Sequence, residues 1–393
     1  MKNKKTPAIR FKGFTDDWEQ RKLSALTSIF NCGKEIQSAE IKKVGLYPVY
    51  GGNGVRGYAD RYNYDGEFAL IGRQGALCGN MNYYRGKAYF TEHAIVVKAS
   101  DDSNTRFLYY MLDTLKLGHY SDQSAQPGLA VNKLIRLTSA VPKLEEQKHI
   151  AEYLTNLDNL ITLHQRKLEK LKNFKKAMLE KMFPKNGEKT PEIRFQGFTD
   201  DWEQRKLGKL ANIIDPHPSH RAPSEVKNGI PFIGIGDVEI DGSIDYVKSR
   251  KVAASIYEEH HKRYDLAIPS LGIGRVASLG KVVRLRNDIG KYTVSPTMSV
   301  MQFEKNSNID FLYAAMNSEV FQKQFVSQSN GSTRQSVGIQ DLRVIEVSVS
   351  THKEEQGEIG KFFKKLDTLI TLHQRKLEKL QQIKKAMLEK MFV

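Results

Sequence analysis

A chain of 393 residues, 40% hydrophobic and 27% charged, has room for about two to four folded domains, each with its own core. It contains no apolar run long enough for a membrane span, and its opening MKNKKTPAIRF lacks the apolar stretch of a secretion signal. Cys32 and Cys78 are too few for a disulfide framework or a metal set and suit a reducing cytoplasm, while a net charge of +16 favours a polyanionic partner without naming it.

In chain order, residues 1–23 form a basic opening segment that ends IRFKGFTDDWEQRKL. Between 24 and 145, YPVYGG (47–52), EFALIGR (67–73) and AYFTEHAIVVKA (88–99) read as short strands with Gly-rich turns. NTRFLYYMLDTLKL (104–117) reads as a helix with a one-sided stripe of Phe107, Leu108, Met111, Leu112 and Leu115. Residues 146–183 then carry Ile150, Leu154, Leu157, Ile161, His164, Leu168, Leu171, Lys175 and Met178 in alternating steps of four and three. That is the rhythm of a coiled-coil seam. The intervening Glu, Lys, Gln, Arg and Leu are strong helix formers. Some 38 residues at roughly 1.5 Å each would reach roughly 57 Å.

A linker with Pro184, Gly187 and Pro191 ends this helix and leads into a second opening segment, the two spanning 184–207. Residues 208–354 return to the mixed pattern. Strands are expected at 266–270, 277–285 and 293–303, and a helix at 308–325. Residues 355–393 repeat the seam with Ile359, Phe363, Leu366, Ile370, His373, Leu377, Leu380, Lys384 and Met387.

The two halves are copies in part. IRFKGFTDDWEQRKL (9–23) and IRFQGFTDDWEQRKL (193–207) match at 14 of 15 positions, and 157–183 matches 366–392 at 23 of 27. The segments between them show no comparable identity. Such a pattern implies helices that face common partners and variable domains that face different targets. A lone helix with one apolar stripe cannot bury it, so the two copies are expected to pair. A pseudo-two-fold between repeats makes that pair antiparallel, with His164 facing His373 as a register device. The expected fold is α/β: two mixed α/β domains separated by two long helices that form an antiparallel coiled coil.

Two polar segments are candidates for reading DNA. GRQGALCGNMNYYRGK (72–87) holds Arg73, Gln74, Asn80, Asn82, Arg85 and Lys87, and SQSNGSTRQSVG (327–338) holds Arg334, Gln335 and Ser336. Arg, Asn and Gln distinguish base edges in the major groove, while Ser and Thr suit phosphates. A plain solvated loop has the same composition. The basic stretch Arg275–Lys291, with Arg275, Lys281 and Arg284, suits either a DNA-backbone face or an ordinary surface. Tyr83, Tyr84 and Tyr292 read as packing residues. GRVASLGK (274–281) departs from a P-loop in spacing and in its following Val282. DPHP (215–218) lacks the aromatic of a base-flipping methyltransferase motif. His217, His220, His260 and His261 lack further ligands at metal spacing. The residues describe a two-headed binding protein. A stand-alone DNA methyltransferase and a scaffold that joins two proteins are the competing readings.

WEQRKL (18–23 and 202–207), the EEQ runs at 145–147 and 354–356, and the repeated L-x-x-L-I-x-x-x-x-x-K-L-x-x-L at 157–171 and 366–380 resemble the specificity subunit of prokaryotic type I restriction–modification enzymes, over essentially the whole chain. The resemblance implies target-recognition domains at 24–145 and 208–354 and conserved helices at 146–183 and 355–393. Each domain would read one half of an asymmetric two-part DNA site, with the helices fixing the gap. Two modification subunits would bring S-adenosylmethionine and methylate adenines. Restriction subunits would use ATP and Mg2+ to translocate and cut. This chain itself would bind no cofactor.

Overall fold

The alternating apolar spacing produces two continuous helices of 38 residues each, Leu144–Lys181 and Lys353–Lys390. Each has two glutamates in its first turn and a lysine in its last, charges that complement the helix dipole. This computed structural model describes residues 6–121, 128–217, 222–247, 249–276, 278–329 and 335–393. The chain divides into two units, Met1–Leu163 with Leu377–Val393, and His164–Lys376. The division falls inside both long helices, so each unit holds part of each.

In the first unit, Ile150, Leu154 and Leu157 share a core with Met391, and Leu380, Ile383 and Met387 pack against it. In the second, Leu171, Met178 and Leu179 pack against a core containing Ile359, Phe363 and Leu366. The start of one helix therefore meets the end of the other in both units, which makes the pairing antiparallel. Every seam position from Ile150 to Leu171 and from Ile359 to Leu380 is buried or half-buried.

The head of the first unit is a six-stranded sheet. Its order is Thr27–Cys32, Ala94–Ala99, Tyr64–Gly72, Met81–Phe90, Tyr47–Gly51, Gly54–Ala59. All neighbours are antiparallel except Tyr47–Gly51 with Met81–Phe90. Helix Thr105–Thr114, capped by Asn104 accepting from Phe107 N–H, buries Phe107, Leu108, Met111 and Leu112. The head of the second unit has a four-stranded antiparallel sheet, Ala211–Ile214, Met298–Phe303, Ser270–Gly274, Val282–Leu285. A three-stranded sheet around Ile230–Ile233 accompanies it, with a nearby core that includes Ile233, Tyr264, Tyr292 and Val294.

Several expected elements differ. The run 88–99 is two strands, because Thr91, Glu92 and His93 turn the chain between Phe90 and Ala94. Much of the expected loop 72–87 is the strand Met81–Phe90, paired from Met81 opposite Ile71 to Ala88 opposite Tyr64. The strand expected at 266–270 begins only at Ser270. The expected helix 308–325 is two helices, Ile309–Met316 and Glu319–Ser327, since Ser318 leaves the helical region and caps the second.

Each unit has the same kind of base, built by the repeated residues. Glu19–Lys22 pairs with Thr138–Val141, and Glu203–Lys206 with Glu346–Val349, both antiparallel. The EEQ run explains itself here. Glu146 takes Arg10 through two bonds of 2.7 Å, and Glu355 takes Arg194 at 2.6 and 2.9 Å. Gln147 and Gln356 each donate to a carbonyl of the strand end just before the helix, Pro142 and Ser350 respectively. The arginine–glutamate pairs are partly buried, charge-assisted contacts that seat each opening segment on its helix.

Candidate nucleic-acid interface

The two heads present one arrangement at the same point in their topology. In the first unit, strand Tyr64–Gly72 ends at Arg73, whose N–H donates to His93 O and whose O accepts from Leu129 N–H, both at 2.9 Å. In the second, strand Ser270–Gly274 ends at Arg275, whose N–H donates to Thr297 O at 3.0 Å and whose O accepts from Val337 N–H at 3.1 Å. Leu129 and Val337 each lie just before a short helix, Val131–Leu134 and Ile339–Val344. A strand-end arginine and the loop before that helix are thus tied together in both heads, although sequence identity between the heads is lost.

Around Arg73 the structure gathers Gln74, whose Oε1 meets His93 Nδ1 at 3.0 Å, and exposed Asn80, whose carbonyl accepts from Gly72 N–H. The Cys78 thiol donates to Arg73 O and braces the turn. Burial pushes that thiol's pKa up. Asn82 stands on the neighbouring strand, its Nδ2 buried without a partner among the described residues. Arg85 and Lys87 lie further along that strand, opposite Glu67 and Asp65. Arg85 is ion-paired to Glu67 at 3.2 Å, and Lys87 sits 4.9 Å over the Tyr62 ring. They belong to a different part of the sheet surface from Arg73.

Around Arg275 stand exposed Gln335, half-buried Ser336, and Asp215, which holds the guanidinium at 3.2 Å. Arg334 lies outside the described residues, as do His220 and Pro218 of the segments weighed above. Lys281 is half-buried and donates to Val238 O. Arg284 is a correction. It is buried, ion-paired to Asp310 and Asp367, and donates to Ile240 O, so its charge serves the interior of the unit and not a DNA-facing surface. His93, Asp215 and Thr297 join the site through contacts distant in sequence, and no local pattern points to them.

The strands on either side of segment 274–281, Ser270–Gly274 and Val282–Leu285, pair antiparallel, whereas a phosphate-binding P-loop connects a strand to a helix. Among the described residues, no three or more His, Cys, Asp and Glu side chains group so as to hold a metal ion, and no helix is long and apolar enough to cross a membrane. Burial and the neighbouring His217 hold His260 at a pKa of about 4, so it is neutral at pH 7; its Nδ1 bonds Thr293 Oγ1. A cavity of about 600 Å3 in the second unit is lined by Asp241, Arg284, Arg286, Asp288, Lys364 and Asp367 among others, and its opposite charges nearly balance.

At the middle of the seam, His164 Nδ1 and His373 Nδ1 are 2.8 Å apart, so one ring donates to the other. Burial, then His164, lowers the pKa of His373.

A repeated helical frame carrying two unlike heads, each with a polar strand-end arginine, is a duplicated two-headed architecture. The sequence pattern of the type I restriction modification DNA specificity domain matches residues 15–173 and again 199–382. The chain belongs to that family. The specificity subunit of the Escherichia coli type I restriction enzyme EcoprrI is 49% identical over 115 residues, 29% of this chain and 29% of that protein. The Methanocaldococcus jannaschii MjaVIII specificity subunit is 26% identical over 293 residues, 71% of this chain and 67% of that protein. The match thus spans less than a third of the first relative and about two thirds of the second. The crystal structure of a type I restriction–modification S subunit from M. genitalium superposes with a TM-score of 0.76 at 16% identity, covering 99% of both chains, which shows a shared fold.

Proposed function

We propose that this chain is the DNA-reading specificity subunit of a type I restriction–modification complex. Each head reads one half of an asymmetric two-part site, and the helix pair sets the gap between halves. The observation that carries this reading is the near-identical frame around diverged heads: one frame for common partners, two heads for two half-sites. Residues 24–145 and 208–354 supply the heads, and 146–183 and 355–393 the helices. Arg73, Gln74, Asn80 and His93 form the candidate base-reading group of one head, and Arg275, Gln335 and Ser336 that of the other. In this reading Arg85 and Lys87, elsewhere on the same sheet, contribute positive charge toward the phosphate backbone.

The chemistry falls to partners in this reading. Two modification subunits bind S-adenosylmethionine and methylate an adenine in each half, and restriction subunits use ATP and Mg2+. Mapping adenine methylation in cells with and without the chain tests it. One two-part motif is expected to lose methylation when the chain is absent. Replacing residues 24–142 by the same region of a relative is expected to change one half of that motif. A methylome unchanged by deletion, with the partner subunits intact, would leave a protein scaffold as the better account.

A further inference from the structure

Each seam contains one lysine, and each lysine ends on an aspartate of the opposite helix. In the second unit, Lys175 Nζ is 2.6 Å from Asp367 Oδ1. The carboxylate's other oxygen accepts from Arg284 Nη1 at 2.9 Å, and Arg284 belongs to the head strand Val282–Leu285. The guanidinium carbon lies over the Tyr313 ring of head helix Ile309–Met316, 3.7 Å from its centroid. The first unit divides its carboxylate the same way. Lys384 Nζ is 2.6 Å from Asp158 Oδ1, and the hydroxyl of Tyr110, on head helix Thr105–Thr114, donates to Oδ2 at 2.7 Å. Asp158 and Asp367 hold the same place in the repeated helix.

We propose that Asp158 and Asp367 are positioning residues for DNA reading, each fixing the angle of its own head on the helix pair. The inference rests on the chain's reading a two-part site. One carboxylate gives one oxygen to the opposite helix and the other to the head. The two oxygens are rigidly joined, so a slide of the helices or a tilt of the head breaks a bond. Aliphatic side chains in place of a seam lysine and its aspartate would serve stability as well or better. A polar seam residue instead specifies register. Here the same group also ties register to the head.

The test maps adenine methylation by the full complex on plasmids carrying the half-sites at the native separation and at one base pair less or more. Asp158→Asn and Asp367→Asn are each expected to lower native-site methylation roughly ten- to hundredfold, as misplacement by about an ångström does. Both should also weaken the preference for the native separation. The doubles D158N/K384Q and D367N/K175Q, which remove the stranded lysine, should regain thermal stability and still tolerate the shifted separations. A purely structural role does not predict that split. Folded variants that keep the wild-type preference, or lose all separations equally, overturn the inference. A wild-type complex that methylates no two-part site overturns the functional reading and this inference with it.

Discussion

Asp367 and Asp158 hold equivalent lysines but differ in their access to water. The Asp367 side chain is 1% exposed, with Lys175 at 11% and Arg284 at 8%. Asp158 and Lys384 are 24% and 23% exposed. Removing a buried carboxylate strands two cations in the interior, a loss of about 3–5 kcal/mol. Removing a partly solvated one costs about 1 kcal/mol. Asp367→Ala is therefore expected to lower the urea midpoint far more than Asp158→Ala, and equal shifts would contradict this account. Sequence alone hides the difference. Arg284 is one of five cations between Arg275 and Lys291, and its carboxylate partners lie 26 and 83 residues away. Lys175 and Lys384 can be placed on the seam from their spacing, but what neutralises them is a fact of tertiary structure.

The long helices are the most legible elements because one period runs through each without interruption and occurs twice. The heads are less so. Met81–Phe90 hides its strand character behind Asn82, Arg85, Gly86 and Lys87, and only its pairing with Tyr64–Gly72 reveals it. The strand-end arginines follow similar runs, ALIGR and LGIGR, yet their loop partners come from distant residues. The histidine pair, in contrast, follows from the repeat offset and is found in contact. Its pH behaviour has a definite sign. The pKa of His373 is lowered below its ordinary 6.5, so the unfolded chain binds more protons between the two values. Stability is full above about 6.5 and falls as pH drops through 6.5 toward the folded pKa. Urea unfolding from pH 7.5 to 5 should show this loss, with a shallower slope in His373→Leu. An unchanged slope in that variant would assign the acid sensitivity to other groups.

At the scale of the whole chain, each unit makes the same junction contact. Ile193 N–H donates to Lys181 O at 2.8 Å, where the second opening segment folds back on the end of the first long helix. Ile9 N–H donates to Lys390 O at 2.9 Å, where the first opening segment meets the end of the second. Trp202 packs edge-on against Phe183, and Trp18 against Phe392. Nine residues separate Phe183 from Ile193, and nine would separate Phe392 from Ile9 if Val393 were joined directly to Met1. The same contacts therefore form at both junctions. A permutant with Val393 fused to Met1 and new ends opened between Gly187 and Glu188 keeps every strand and both helices intact. It is expected to fold with a Tm within a few degrees of the parent and to support the same methylation pattern, since cuts in exposed linkers are well tolerated. A control opened between Leu70 and Ile71, inside a buried strand, should fail to fold. If the linker permutant failed as badly as this control, continuity through 184–192 would be essential and the two junctions would not be equivalent.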